Sequence, residues 1–168
     1  MEPTLRATRF AILTASIDCH ACGAATPVAG VLVPSFEERD EGDWITCEDS
    51  ALLRYIEALD AGSARALLER LPWVRLADSK TAGMRYLASV CDCGALQGDF
   101  YLTEPGAPFF PLDDAGIDAI AVDWVDAPLE AVAGRSMSSW TDTLIERQPR
   151  PGWHAPAPAK PRRARRGS

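Results

Sequence analysis

Four cysteines in two short turns are the residues of this sequence best suited to chemistry. Two residues separate Cys19 from Cys22, one separates Cys91 from Cys93, and 68 residues lie between the two pairs. Thiolate sulfur is a preferred ligand of Zn²⁺, which structural sites bind through four protein groups in a tetrahedron. A glycine follows each pair, and glycine readily takes the positive φ that folds a turn back around its sulfurs. The pattern therefore predicts one structural zinc ion bound by Cys19, Cys22, Cys91 and Cys93.

Two other residues compete with Cys91 for the fourth ligand position. Only one residue separates Cys91 from Cys93, instead of the usual two. This spacing holds the two sulfurs closer together and strains the geometry of chelation. His20 lies inside the first turn, but neighbouring side chains of one turn rarely reach the same ion. Cys47 ends a segment that reads as a core strand, where a thiol packs as a small apolar side chain. Cys91 is the favoured ligand, and His20 and Cys47 stay open as alternatives.

Chemistry other than metal binding has less support in the sequence. A reversible disulfide between Cys19 and Cys22 would make the chain a thiol redox protein, although no helix pattern begins at Cys19 to lower the pKa of its thiol. The two histidines, His20 and His154, leave little material for a catalytic triad or a cysteine–histidine dyad. The chain carries neither a phosphate-binding glycine loop nor a dinucleotide fingerprint. An all-cysteine zinc site is closed to substrate, so we expect no enzyme activity.

Length and composition indicate one intracellular domain. A chain of 168 residues with 47% hydrophobic residues can form a single core. The N-terminus lacks the features of a secretory signal, and no window approaches the roughly 20 apolar residues that cross a bilayer. We therefore expect a cytoplasmic protein without a membrane partner. Cytoplasmic thiols are kept reduced, which favours metal binding over structural disulfides.

Charge divides the chain into an acidic body and a basic tail. Residues 1–146 carry a net charge of about −14, and the residues from 147 onward carry about +7 without a single acidic side chain. The body would repel phosphates, so nucleic-acid binding could come only from the tail, weakly. Residues 148–168 are rich in Pro, Ala and Arg and are predicted to be disordered. Residues 1–147 are predicted to be the folded domain.

The hydrophobic pattern predicts an α+β fold built on an antiparallel sheet. Both cysteine turns follow apolar, β-branched segments, which places each turn at the end of a strand. Between them, Leu52, Leu53, Ile56 and Leu59 recur at helical spacing, and Ser63 can begin a second helix. We therefore predict a pair of helices inserted at residues 49–71. The predicted strands are residues 5–17, 26–33, 44–47, 73–77, 84–90, 98–102 and 117–125, and a last helix is predicted near residues 140–147.

Several stretches of this sequence, including both cysteine turns, resemble those of a group of uncharacterised bacterial proteins that look like split zinc ribbons. The similarity covers about residues 10–130 and is strongest in the stretch Cys-Gly-Ala-Leu-Gln-Gly-Asp-Phe that ends at Phe100. In that group the second turn usually has two residues between its cysteines, whereas this chain has only Asp92. The resemblance implies zinc-knuckle turns and zinc binding at the four cysteines, and it implies no activity. The expected role is a zinc-stabilised scaffold or a module that binds an unidentified protein partner.

Overall fold

The computed structural model describes residues 1–148, so the predicted basic tail lies outside the described residues from residue 149 onward. Within residues 1–148 the chain forms eleven strands and four helices. The strands are β1 Leu5–Ala7, β2 Phe10–Asp18, β3 Ala25–Val33, β4 Phe36–Asp40, β5 Asp43–Cys47, β6 Ala51–Leu59, β7 Val74–Ser79, β8 Met84–Val90, β9 Leu96–Gln97, β10 Ala121–Val125 and β11 Leu129–Ser136. The helices are α1 Ala61–Arg70, α2 Asp99–Leu102, α3 Asp114–Asp118 and α4 Ser139–Glu146.

The strands form two antiparallel sheets. The larger sheet has eight strands in the order β10-β2-β3-β6-β11-β1-β4-β5, and the smaller has the order β7-β8-β9. Strand β8 contacts β3 and β6, which brings the small sheet against the large one. The predicted α+β class with an antiparallel sheet is confirmed. None of the helices in residues 1–148 has the length and apolar character needed to cross a membrane.

The centre of the large sheet is buried on both faces. Phe10 and Ile12 of β2 pack into one core cluster, whereas Leu13 packs into the other, because successive side chains of a strand point to opposite faces. Helix α1 contributes Leu67 to the first cluster, and helix α4 contributes Trp140 to the second. Burial on two faces explains why β2 has a continuous apolar run rather than an alternating one.

The predicted pair of helices at residues 49–71 is wrong in its first half. Ala51–Leu59 is strand β6, which lies between β3 and β11 in the middle of the large sheet. The spacing of Leu52, Leu53 and Ile56 satisfies a strand buried on both faces as well as a helix, and sheet pairing decides between them. The second helix does form, as α1, but its N-cap is Asp60, whose carboxylate accepts a hydrogen bond from the backbone N–H of Ser63 at 2.9 Å.

Three other segments differ from the sequence prediction. Residues 98–102 were expected to form a strand, but most of them form the short helix α2. The expected strand at residues 117–125 is divided between the end of α3 and the strand β10. The charged segment Phe36–Asp40, which lies outside the predicted strands, is the strand β4 near one edge of the large sheet.

Both cysteine turns join antiparallel strands, as the sequence predicted. The first turn lies between β2 and β3, where Asp18 pairs with Ala25, and the second lies between β8 and β9, where Val90 pairs with Leu96. The two hairpins belong to different sheets. They are linked by a hydrogen bond of 3.0 Å from the backbone N–H of Ala29 in β3 to the hydroxyl of Ser89 in β8. This bond helps to hold the two turns side by side.

A bulge in β6 connects the centre of the large sheet to α2. The pairing of β6 with β11 is irregular between Arg54 and Ala58, and Tyr55 has a φ of 50°, which is unusual for a tyrosine. The backbone N–H of Tyr55 donates a hydrogen bond of 2.7 Å to the carboxylate of Asp99. The carboxyl group is enclosed although the residue is half-buried, and this burial raises the pKa of Asp99 to about 6 against the lowering effects of Tyr55 and Arg54.

The raised pKa of Asp99 predicts a pH-dependent contribution to stability. The pKa of Asp99 in the folded state lies above its unfolded value, so folding favours the protonated carboxyl. The free energy of unfolding therefore increases as pH falls through about 6. Between pH 7.5 and 5 this gain should be about 1 kcal/mol. In Asp99→Asn, which keeps an oxygen acceptor for Tyr55, the gain should be absent. Urea unfolding at both pH values measures it.

The control for this experiment is Asp49→Asn, because Asp49 is an exposed carboxylate. That variant should keep the pH dependence of the wild type. An Asp99→Asn variant whose pH dependence equals that of Asp49→Asn would show that Asp99 does not titrate as its surroundings indicate.

Candidate metal centre

The first turn is closed by its own backbone. The N–H of Cys19 donates to the carbonyl of Ala24 at 2.8 Å, and the N–H of Gly23 donates to the carbonyl of Cys19 at 2.9 Å. Gly23 has a φ of 75°, a conformation that side chains with a Cβ rarely adopt. The chain thereby reverses direction within a few residues. Cys19 and Cys22 both project from this reversal.

The second turn repeats this arrangement with one residue fewer. The N–H of Cys91 donates to the carbonyl of Ala95 at 3.0 Å, and the N–H of Gly94 donates to the carbonyl of Cys91 at 2.8 Å. Gly94 has a φ of 90°, which matches the role of Gly23 in the first turn. Each hydrogen bond of the second turn joins residues that are one position closer in sequence than in the first turn. The second turn therefore keeps the same hydrogen-bond pattern with one residue fewer. The short spacing of Cys91 and Cys93 is therefore compatible with a closed turn.

The four sulfur atoms of the two turns meet. The Sγ atoms of Cys19 and Cys93 lie 3.7 Å apart, and those of Cys22 and Cys91 also lie 3.7 Å apart. All four sulfurs lie within 4.8 Å of one another, so the cluster could hold a metal ion. These separations are far longer than the roughly 2.0 Å of a disulfide bond. Each short contact joins one turn to the other, so the cluster connects the two sheets.

Burial differs within each pair of cysteines. Cys19 and Cys91, the first cysteine of each turn, are 3% and 5% exposed, whereas Cys22 and Cys93 lie at the surface. The cluster therefore sits at the rim of the molecule, with two sulfurs facing the protein and two facing solvent. An ion bound there would be reachable from solvent on one side while its inner ligands stayed fixed in the core.

Gln97 supports the buried side of the cluster. Its side-chain N–H₂ donates hydrogen bonds to the sulfur of Cys19 at 3.3 Å and to the carbonyl of Ala95 at 3.1 Å, and the residue is only 2% exposed. The amide thus links a sulfur of the first turn to the backbone of the second. Hydrogen bonds of this kind orient metal ligands and stabilise the charge on sulfur. Sequence inspection did not single out Gln97, although it lies in the stretch that carries the family resemblance.

The thiol pKa values of Cys19 and Cys93 shift in opposite directions. Hydrogen bonds from the backbone N–H groups of Cys22 and Ala21 lower the pKa of the Cys19 thiol to about 6. At Cys93 a hydrogen bond from the backbone N–H of Ala95 acts in the same direction, but burial and the surrounding cysteine sulfurs outweigh it and raise the pKa. Four thiolates at this distance repel one another unless a cation lies between them. A bound metal ion supplies that charge and deprotonates the remaining thiols.

The two alternative ligands lie outside the cluster. His20 is exposed, and its ring stacks on that of Tyr101 with 5.9 Å between the ring centroids. Cys47 is half-buried at the end of β5, the strand at the far edge of the large sheet. The structure thus brings Cys91, and neither His20 nor Cys47, to the sulfurs of Cys19, Cys22 and Cys93.

Asp99 links the segment after the second turn to the large sheet. Its carboxylate accepts a hydrogen bond from the backbone N–H of Tyr55 in β6. The backbone N–H of Asp99 donates to the hydroxyl of Tyr86 in β8 at 3.0 Å. Asp99 therefore anchors the segment that follows the second turn to both sheets.

Replacing Gln97 should weaken metal binding. In Gln97→Leu the sulfur of Cys19 loses its side-chain donor, and loss of such a partner typically costs about 10–100-fold in metal affinity. Competition with a chromophoric chelator measures the change. The control is Thr141→Val, which also removes a fully buried polar group but lies in α4, away from the cluster. Equal affinity of Gln97→Leu and Thr141→Val would contradict a role for Gln97 in the metal site.

Comparison of the chain with protein-family models, with curated proteins and with solved structures found no match. The resemblance to bacterial split zinc ribbons therefore stays a prediction. The chemistry of the site follows from the chain itself: four cysteine sulfurs, brought together from two sheets, form a cluster that could hold a metal ion.

Proposed function

We propose that the protein is a non-catalytic, zinc-stabilised module in which one Zn²⁺ is bound by Cys19, Cys22, Cys91 and Cys93. The observation that carries this proposal is the convergence of the four sulfurs within 4.8 Å. Four sulfurs placed about 2.3 Å from a zinc ion at the corners of a tetrahedron lie about 3.8 Å apart. The two contacts of 3.7 Å have that length, and both run between the turns.

The donor set favours zinc over other metals. Tetrahedral sites made of four thiolates bind zinc or iron–sulfur groups, whereas calcium and magnesium require oxygen ligands. The cluster offers four sulfurs to a single ion, and the hydrogen bonds of both turns already hold their backbones closed. A zinc ion needs no redox partner and no open coordination position to stabilise such a site.

The same arrangement supports a structural role for the ion. With all four positions taken by protein sulfur, a zinc ion has no site for water or substrate, which a catalytic zinc requires. Because the sulfurs come from different sheets, binding closes the long connection between the hairpins. The entropy of that closure rises only slowly with loop length. The free energy of metal binding adds to the free energy of folding, and in zinc-finger peptides this contribution is of order 10 kcal/mol.

An exposed aromatic pair beside the cluster supports a role in binding a partner. Phe100 and Tyr101 are each 49% exposed, and the ring of His20 from the first turn stacks on Tyr101. Large aromatic side chains at the surface are enriched at protein interfaces. The nearby Phe109, at 2% exposed, packs into the core. Phe100 and Tyr101 instead offer a contact surface held in place by the metal turn.

Metal analysis of the purified protein tests the proposal. We expect about one equivalent of zinc per chain and no stoichiometric iron. Serine in place of Cys19, Cys22, Cys91 or Cys93 should reduce the zinc content below half an equivalent and lower the free energy of unfolding by several kcal/mol. The protein contains its own control: Cys47→Ser removes a thiol outside the cluster and should keep the full zinc content.

Two results would contradict the zinc site. The first is iron, or less than half an equivalent of any metal, in anaerobically prepared protein. The second is full zinc content after the loss of two of the four cysteines. His20→Ala should also retain zinc, because its imidazole lies outside the group of sulfurs.

Thiol redox chemistry is the second candidate, favoured by the lowered pKa of Cys19. A thiolate formed near neutral pH is a good nucleophile, but the sulfur of Cys19 is buried and its close neighbour is Cys93 of the other turn. A redox protein would be isolated without metal and would form a disulfide between Cys19 and Cys22 on mild oxidation. Thiol titration with and without a zinc chelator separates the two candidates.

A further inference from the structure

The last four residues of β2 have one open edge. Strand β10 pairs with residues 10–14 of β2, and the register ends where Ala121 faces Thr14. Residues 15–18 pair with β3 on their other side, and no strand of the described residues 1–148 covers their outer edge. In an antiparallel ladder alternate residues direct their N–H and C=O groups to each side. This part of β2 therefore presents unpaired backbone donors and acceptors, which is the form of a site for strand addition.

A groove of about 740 Å³ follows this open edge. It is lined by residues 15–18 of β2, by Tyr101, by residues 106–108 and 111–113, and by Gly116, Ala119 and Ile120. We call this space the β2 groove. Its volume lies within the range of about 300–1,000 Å³ that is typical of ligand sites. Its lining includes the apolar side chains of Ile17, Leu112 and Ile120 together with the residues of the open edge.

The charges of the β2 groove have one sign. Asp18 and Asp113 line it, and among residues 1–148 no lysine, arginine or histidine does. Within residues 1–148 neither carboxylate takes part in a salt bridge, although Asp113 accepts a hydrogen bond from the backbone of Gly116. An occupant with positive charge would therefore be favoured.

The described chain ends beside the β2 groove. Arg147 donates to the carboxylates of Asp114 and Asp118 at 2.6 and 2.5 Å, which fixes the end of α4 against α3. Residues around α3 also line the groove. From Gln148 to residue 155 an extended chain spans at most about 25 Å. The chain that follows α4 thus starts from a helix end held against α3, and residues 149–168 carry six positive charges and no negative one.

The sequence of this tail contains a segment suited to pair along one edge only. Residues 155–159 read Ala-Pro-Ala-Pro-Ala. In an extended strand the three alanines direct their N–H groups to one side, and the two prolines, which lack an N–H, occupy the positions that face the other side. Proline is accepted in sheets at edge strands for this reason. Such a segment can add to an open strand without exposing a new set of donors.

We propose that residues 155–159 of the same chain add to the open edge of β2 as a terminal strand in the β2 groove. Lys160 and Arg162 follow directly and bring positive charge to the acidic groove. The tail would cover the edge of the strand that leads into the first metal turn, and a partner's strand would have to displace it. The zinc site does not depend on this contact, so the two proposals fail separately.

Amide hydrogen exchange of the full-length chain, resolved by residue with NMR, tests the proposal. In the wild type the outward amides of residues 15–18 should exchange at least about tenfold more slowly than free amides, because they are hydrogen-bonded. Ala157→Pro removes the central N–H of the added strand and should abolish this protection. The matched control is Ala164→Pro, which makes the same change outside residues 155–159 and should preserve it. Zinc content should be equal in all three proteins.

Other outcomes overturn the proposal. Fast exchange of these amides in the wild type would show an empty edge, and slow exchange in Ala157→Pro would show that the tail is not the occupant. Protection that disappears on dilution would assign the occupant to a second copy of the chain instead of the same one. A variant Asp18→Asn should weaken the protection more at low salt than at high salt, because the attraction of the tail is electrostatic.

Discussion

Four ionisable sulfurs within 4.8 Å of one another form an arrangement that repels itself once the thiols lose their protons. The backbone hydrogen bonds of the first turn already favour ionisation of Cys19, and the crowding of the sulfurs opposes ionisation of Cys93. A cation between them removes this conflict. The two turns, their hairpins and the contacts between the sheets bring these sulfurs together and hold them there.

Two packed hairpins, rather than a long flexible loop, hold the sulfurs in place. Each cysteine turn closes an antiparallel hairpin, and the hairpins belong to two sheets that pack together. Three buried polar contacts then fix their relative position: Ser89 binds the backbone of Ala29, Gln97 binds Cys19, and Asp99 binds Tyr55 at the bulge of β6. Buried hydrogen bonds of this kind are costly to break, since each leaves an unsatisfied group.

The cysteine cluster lies beside two exposed features of the surface. The first turn carries His20 against Tyr101, and the strand that leads into it has an open edge next to an acidic groove. An ion that fixes the turn also fixes the end of this strand and the exposed aromatic pair. A structural metal can in this way define a binding surface without contacting the partner.

The sequence by itself determined the local features of the site. The residue types and spacing of the cysteines, the glycines that follow them and the preceding apolar strands identified two hairpin turns. The last helix, predicted near residues 140–147, also forms, as α4. These features are local, because turn chemistry and ligand type act within a few residues. The structure places Cys91, despite its short spacing, in the cluster and leaves His20 and Cys47 outside it.

Tertiary structure decided the remaining features. The pattern of Leu52, Leu53 and Ile56 fits a helix and a doubly buried strand equally well, and only the pairing of β6 with β3 and β11 makes it a strand. The polar strand β4 exists because β1 and β5 supply its hydrogen-bond partners, which its own composition does not reveal. Gln97 and Asp99 became recognisable only through contacts with residues far away in sequence. Such contacts depend on which sheets pack together, and this is a property of the whole chain rather than of any segment.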